Sequence, residues 1–319
     1  VYRVEKYLAK TLDSCLCQDV SSVEYELVVV NDGSPDGCLE IMKDYAKRYS
    51  NIVIVSQENK GLSAARNTGL KASSGTYVWF VDSDDWIAPS ALATLDRYLD
   101  GKNDEIVFSG KNVMDDGRTI LDSRNLFTEH HGRCYTGKEC WMKNIQQVSA
   151  SVFAIYRSDF LRTNHLAFKE GYVNEDVEFC PKASYLSERT VYLKDCLYYV
   201  RQNPQSITRS VNAKGSFDYI VLCHDIYQFS KLQVRESCIR RKFHALIGMD
   251  INEALRQIVR CDKKKVEDFE LFCHDHRQPI FSSLWKSRKL KYMLEWVLFL
   301  FSHHYASIYQ ALVNFKKKE

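Results

Sequence analysis

Proline occurs only five times and glycine thirteen times in 319 residues, too few for a collagen-like, low-complexity or wholly disordered chain. Apolar runs stop well short of the ~20 residues a helix needs to cross a bilayer. The eleven cysteines include no CxxC pair; Cys15 and Cys17 are one residue apart, and Cys273 with His274 and His276 is the one Cys/His knot. Structural zinc draws on two well-spaced ligand pairs, so no zinc site is expected. Scattered cysteines of odd number suit a reducing compartment better than a disulfide framework. No targeting segment is visible.

What is there describes a folded chain, with 45% hydrophobic and 27% charged residues. A formal charge of +3 conceals an asymmetry: from Lys231 onward 18 Lys and Arg face 10 Asp and Glu. Such a tail suits either an anionic surface or a solvated basic helical region. Its most apolar stretch, Tyr292 to Val313, has Lys286, Arg288, Lys289 and Lys291 before it and Lys316 to Lys318 after it. Two readings stay open, a helix lying in an anionic interface and a terminal helix packed on its own domain. Nucleic-acid binding is not expected, because no recognisable module accompanies the charge.

Three β-branched runs recur at close to even spacing: Glu26 to Val30, Asn51 to Val55 and Thr76 to Val81. Each is too continuous for a sheet with one wet face, which predicts parallel strands covered on both sides. Between the first two, Leu39, Met42, Tyr45, Ala46 and Tyr49 keep helical spacing; between the second and third, Ser63 is placed to cap a short helix. The βαβαβ pattern predicts a doubly wound α/β sheet. Ahead of it, Val4 to Cys17 reads as a helix with Val4, Tyr7, Leu8, Thr11, Leu12 and Cys15 on one face. A helix feeding a parallel strand normally follows another strand, so a strand is expected before Val1. After Asp100, a hairpin is expected from Glu105 to Met114 and from Thr119 onward, turning at 115–118. From about Val211 the chain reads as helical. The expected divisions are therefore 1–100 and 101–210, two halves of one α/β domain, and 211–319, a helical basic extension.

Open parallel sheets bind ligands at the carboxyl ends of their strands. The first run is followed there by Asn31-Asp32-Gly33-Ser34, and the third by Asp82-Ser83-Asp84-Asp85. Two neighbouring acidic loops repel unless a cation or a hydrogen-bond donor separates them. Asp82 and Asp84, two apart, share one side of an extended segment. That suits Mg²⁺ or Mn²⁺ completed by diphosphate oxygens and water. Gly61 permits close backbone approach, and Arg66, one turn into the following helix, is placed for a phosphate, a base carbonyl or a surface ion pair.

Taken together, Val1-Tyr2-Arg3-Val4-Glu5-Lys6-Tyr7-Leu8, Val30-Asn31-Asp32-Gly33-Ser34, Ser63-Ala64-Ala65-Arg66-Asn67-Thr68-Gly69 and Phe80-Val81-Asp82-Ser83-Asp84-Asp85 resemble the family 2 glycosyltransferases of the GT-A fold. The resemblance is good over the first hundred residues, looser over the next hundred, and slight beyond. Members usually carry Asn at the position of Arg3, preceded by an apolar strand ending in Pro.

The resemblance implies a donor site. Tyr2 would stack on the uracil of a UDP-sugar, Asp32 would accept the uracil N–H, Arg66 would hold the nucleotide, and Glu5 and Ser83 belong to the same donor set. Asp82 would lie against ribose and metal, with Asp84 the main ligand of the bridging Mn²⁺ or Mg²⁺. For inverting members it implies a general base from Glu175-Asp176, with Asp176 first and Glu175 second, and Asn174 placed to cap the helix. Arg201 or Arg209 would cover the diphosphate. Trp141, Phe153 and Tyr156 are aromatic enough for an acceptor cleft but suit a core equally. The implied activity is metal-dependent, inverting transfer from a UDP-sugar to a saccharide or lipid-linked glycan in cell-surface polysaccharide assembly (capsule, lipopolysaccharide), peripheral at the cytoplasmic face of the inner membrane. A catalytically impaired sugar-nucleotide-binding or scaffold protein of the same fold is the alternative. A sugar-phosphate nucleotidyltransferase comes third, since no Gly-rich phosphate loop is visible.

Overall fold

The computed structural model describes residues 1–19, 23–114, 119–122, 125–146, 150–202, 213–275 and 277–293, with 297, 306, 308 and 309. It forms two units, Val1–Gly171 with Ala183–Ser206, and Tyr172–Lys182 with Ile207–Glu319.

The first unit opens with α1 (Glu5–Leu16), which buries Leu8, Thr11, Leu12 and Cys15, the expected face. β1 (Leu27–Asp32), α2 (Cys38–Arg48), β2 (Ile52–Gln57), α3 (Leu62–Ala72) and β3 (Tyr77–Trp79) follow in the expected alternation. Leu8 and Leu12 of α1, Val29 of β1 and Cys38, Met42 and Tyr45 of α2 form one apolar cluster. β1 and β2 pair in parallel over six residues as a two-stranded sheet.

β4 (Trp86–Ile87), α4 (Ala91–Leu95), β5 (Glu105–Val113), β6 (Thr119–Asp122), β7 (Cys134–Tyr135), α5 (Gly137–Lys143), β8 (Ala154–Arg157) and α6 (Ser158–Thr163) come next. α7 (Asp176–Leu186) starts in the second unit, and β9 (Thr190–Arg201) returns to the first. The larger sheet runs β3-β8-β5-β9-β4, with β6 on β5 and β7 on β9. Its longest ladder, β5 with β9, is parallel; β3 pairs antiparallel with β8. The expected hairpin is present as β5 and β6, its turn at 115–118 lying outside the described residues.

β3, from the expected first half, pairs with β8, from the expected second half, so the two share one sheet. Trp141 and Tyr156 are core side chains, 1% and 0% exposed. The second unit is helical, as expected, with α8 (Ala213–Leu232), α9 (Ser237–Ile258), α10 (Lys263–Asp275) and α11 (Arg277–Lys286). Its interior holds Ile220, Phe243, Ile247, Leu255 and Phe269. It also takes in 172–182, ahead of the expected boundary at 211. No helix among the described residues is long and apolar enough to cross a membrane. Most of the apolar stretch 292–313 lies outside the described residues.

Candidate functional site

β1 is apolar as far as Val30 and then delivers Asp32, 3% exposed, at its carboxyl end. Oδ1 of Asp32 accepts from Gln57 Nε2 at 2.7 Å and from the Lys60 amide at 2.9 Å, and Oδ2 accepts from the Gly61 amide at 2.9 Å. The carboxylate thus fixes the turn that starts α3. It is this turn, and not a Ser63 cap, that begins the helix: Gly61 takes the N-cap place at φ 86°, and Ser63 is buried in the first turn. The left-handed φ there favours glycine. Gly33, at φ 65°, is constrained in a second way, since a Cβ would lie 2.8 Å from the Asn59 nitrogen.

One turn into α3, Arg66 is 9% exposed and donates to Asp82 Oδ1 at 2.7 Å. Its guanidinium also lies 5.1 Å from the Phe168 ring centre. The next residue, Asn67, holds the same segment in both directions: Nδ2 donates to the Phe168 carbonyl at 2.8 Å and Oδ1 accepts the Phe168 amide at 2.9 Å. Arg66 is therefore a buried ion-pair partner of the acidic loop.

That loop turns tightly, with the Asp85 amide donating to the Asp82 carbonyl at 3.1 Å. β9 grips it from a distance in sequence. The Tyr198 hydroxyl accepts the Asp82 amide at 3.0 Å and is hydrogen-bonded to the Asp85 side chain. Asp85 Oδ1 accepts the Arg201 amide at 2.7 Å, and Arg201 Nε donates to the Asp84 carbonyl at 2.7 Å. The Arg201 guanidinium packs over Tyr7 and Trp86, and Lys10 covers the Trp86 ring at 3.5 Å. Arg201 thus ends β9 as a buried brace, 8% exposed. Arg209 lies outside the described residues.

Crowded carboxyls in a half-buried loop resist ionisation together. Burial, then Asp82, pushes Asp84 above the usual carboxylate range. Burial, then Asp82 and Asp84, pushes Asp85 up to about 8. Among the described residues no three His, Cys, Asp or Glu side chains group as a metal cage. The donor set at the loop is the carboxylate pair Asp82 and Asp84. Hard oxygens in that number fit a small divalent cation that keeps water and phosphate as its other ligands.

At the start of the chain, the Tyr2 ring is 38% exposed with the Arg3 guanidinium 5.2 Å from its centre. Asp32 and Asp82 both act on the Val1 ammonium, which joins the ends of the two acidic segments in one neighbourhood. Glu5 is engaged by the Gly37 amide at 3.0 Å and so anchors the start of α2. Ser83 lends its carbonyl to the Thr11 hydroxyl at 3.0 Å.

In the second unit, Asn174 adopts φ 65° and its carbonyl accepts the Val177 amide at 3.0 Å. Glu175 is 5% exposed, and Asp176, half-buried, opens α7 with Cys180 Sγ 3.9 Å from its Oδ1. The Val173 amide donates to Asp218 Oδ2 of α8 at 2.8 Å, fixing the approach to the helix.

Sequence reasoning passed over Asp85, Tyr198 and Gln57. Asp85 was visible as the third acid of the run. Tyr198 carried no local signal, since its partner is 116 residues away.

The sequence model of glycosyl transferase family 2 matches residues 1–163. Over 216 residues the chain is 34% identical to glycosyltransferase GlyA of Streptococcus pneumoniae serotype 4, covering 66% of this chain and 30% of that protein. Over 214 residues it is 34% identical to the uncharacterized glycosyltransferase EpsJ of Bacillus subtilis, covering 65% and 61%. The chain thus spans less than two thirds of either relative. In fold it is similar to Staphylococcus aureus TarS 1–349, crystallised with UDP-GlcNAc, with a TM-score of 0.70 at 22% identity over 97% of this chain and 85% of that one.

Proposed function

Because the chain belongs to glycosyl transferase family 2 and has the GT-A fold, we propose that it transfers a sugar, with inversion, from a UDP-sugar to a saccharide or lipid-linked glycan acceptor in cell-surface polysaccharide assembly. The observation that carries the reading is the Asp82–Asp85 loop, held by Arg66 and Tyr198 with Asp84 pushed up by burial and by Asp82. A divalent cation and a diphosphate at that loop would relieve the repulsion. The UDP-GlcNAc complex of TarS supports a UDP-linked donor.

In this reading Tyr2 offers an exposed ring to the uracil. Asp32 already takes three donors, and a carboxylate has about four acceptor positions, which leaves one for the uracil N–H. Arg66 orients Asp82 toward the ribose, and Glu5 and Ser83 shape the donor pocket through the backbone they hold. Asp82 and Asp84 would hold Mn²⁺ or Mg²⁺, which when bound stabilises the leaving diphosphate. A carboxylate oxygen of Asp176 takes the acceptor hydroxyl proton as the new bond to the anomeric carbon forms, with Glu175 the second choice. Arg201 steadies the acidic loop from below; Arg209 remains a candidate diphosphate contact.

The test is UDP release from a panel of UDP-sugars, with and without chelator. We expect chelation and Asp84→Ala to abolish most turnover, and Asp176→Asn to lower kcat by about 10²–10⁴-fold. Unchanged turnover in Asp84→Ala refutes the metal site, and unchanged turnover in Asp176→Asn refutes the base. UDP-sugar binding without turnover favours the scaffold alternative.

The proposal includes peripheral attachment at the cytoplasmic face. It is supported by the basic excess after Lys231 and by Trp285 and Leu290, 48% and 73% exposed beside Lys286, Lys289 and Lys291. Such a surface binds anionic lipid through charge and apolar insertion together. Flotation with anionic but not neutral liposomes is the expected result.

A further inference from the structure

Two guanidinium groups hold the acidic loop, and both rest against aromatic rings. Arg66, bonded to Asp82 at 2.7 Å, lies 5.1 Å from the ring centre of Phe168. Arg201, bonded to the Asp84 carbonyl at 2.7 Å, lies 4.5 Å from the ring centre of Tyr7 and 5.0 Å from that of Trp86. Both arginines are buried. An aromatic ring attracts the cation without taking its in-plane N–H donors, so each guanidinium gives up water and still keeps its fork for the loop.

The rings are fixed in their turn. Asn67 brackets the Phe168 backbone through both its amide and its carbonyl. The Phe168 ring meets that of Phe80, two residues ahead of Asp82, edge to face at 5.0 Å. Trp86 directly follows Asp85 and pairs with Tyr199 in the β4–β9 ladder, where the two rings stack with their centres 5.6 Å apart. Tyr7 comes from α1, which packs beside β4. Three rings from α1, β4 and the segment after α6 thus serve two arginines from α3 and β9. An arginine left free beside a diphosphate turns its parallel donors onto phosphate oxygens. One seated on a ring stays with the loop.

We propose that Phe168, Tyr7 and Trp86 are positioning residues: they seat Arg66 and Arg201 and so fix the orientation of Asp82 and Asp84. They act through the arginines, and the loop is held ready before any ligand arrives. The inference rests on the transferase reading only for what the loop binds, a divalent cation.

The test uses the full chain with ¹⁵N-labelled arginine. The Arg201 Nε–H signal, identified by its loss in Arg201→Lys, belongs to the bond to the Asp84 carbonyl and should exchange slowly with water. Trp86→Leu is expected to speed that exchange at least ~10-fold. It should also weaken Mn²⁺ binding, read from the paramagnetic resonance of the free ion, by about 3–10-fold. Trp86→Phe keeps a ring and should restore most of both. Phe168→Leu keeps apolar bulk and should weaken Mn²⁺ binding in the same way. Phe168 is buried whereas Trp86 is half-buried, so the Trp86 pair decides if Phe168→Leu does not fold. Equal exchange and equal Mn²⁺ affinity in the parent and Trp86→Leu overturn the proposal. So does an equal loss in Trp86→Leu and Trp86→Phe, which marks ordinary packing. A parent that binds no Mn²⁺, with the Arg201 N–H still released by Trp86→Leu and held by Trp86→Phe, supports the seat and refutes the metal reading instead.

Discussion

Tyr198 shows how one side chain organises the acidic loop. Its hydroxyl accepts the Asp82 amide and bonds the Asp85 carboxyl, and it is fully buried. Tyr198→Phe keeps the ring and leaves both partners short of a hydrogen bond, a loss of about 1–3 kcal/mol. Urea unfolding should register it, and in the UDP-release assay the Mn²⁺ concentration for half-maximal rate should rise more than kcat falls. An unchanged metal response would confine Tyr198 to the core. Residues at this scale were legible where chemistry and local spacing coincide, as for Asp82 and Asp84. Arg66 was legible as a cation at a helix start. Its partner, Asp82 at 2.7 Å, is chosen by how α3 lies beside the loop after β3.

At the scale of elements, periodicity identified α1, α2 and β1 because each buries a face, and burial writes a repeat into the chain. β2, expected to be covered on both sides, has no fully buried residue and leaves Val53 40% exposed, because it is an edge strand with β1 its one ladder partner among the described residues. Periodicity misplaced the start of α3, since the helix begins at a Gly61 N-cap with no side-chain cap, after a turn whose Lys60 and Gly61 amides Asp32 holds. α5 shows both kinds of control. Thr136 and Glu139 make a reciprocal capping box, which is local, while Gly137 meets the end of α7, where a Cβ would lie 2.1 Å from the Ser184 carbonyl oxygen. Backbone cannot yield as a side chain tip does. Gly137→Ala should cost about 1–3 kcal/mol through overpacking, whereas Lys138→Ala, on the exposed face of the same turn, should be close to neutral. Thermal melts of the two variants check this, and equal melting temperatures would contradict the close approach.

At the scale of the first unit, Glu105 of β5 is an ionisable group set in the interior, 0% exposed. Thr190 Oγ1 donates to its Oε2 at 3.2 Å, while Oε1 has no hydrogen-bond partner among the described residues. Burial, and to a lesser extent Asp104, pushes its carboxyl up to about 8. Between the unfolded value near 4.5 and about 8 the native state holds a proton that the unfolded chain has released. Rising pH therefore favours unfolding across that window, by on the order of 1 kcal/mol per pH unit. Glu105→Gln keeps the shape without the charge, so its urea midpoint should decline less steeply from pH 5 to pH 8 than the parent's, with the slope that remains coming from Asp85. Parallel slopes in parent and variant would place the pH dependence elsewhere.

By itself the sequence determined the α/β alternation, the residues at the strand ends and the helical character of the last third, because apolar period and strand-end chemistry are written within a few neighbouring residues. Tertiary structure alone decided that β3 pairs with β8, that Asp32 holds the turn ahead of α3, and that Tyr198 and Arg201 hold the acidic loop. Those facts depend on which distant backbones approach each other, and hydrogen bonds between residues a hundred positions apart leave no period in the chain.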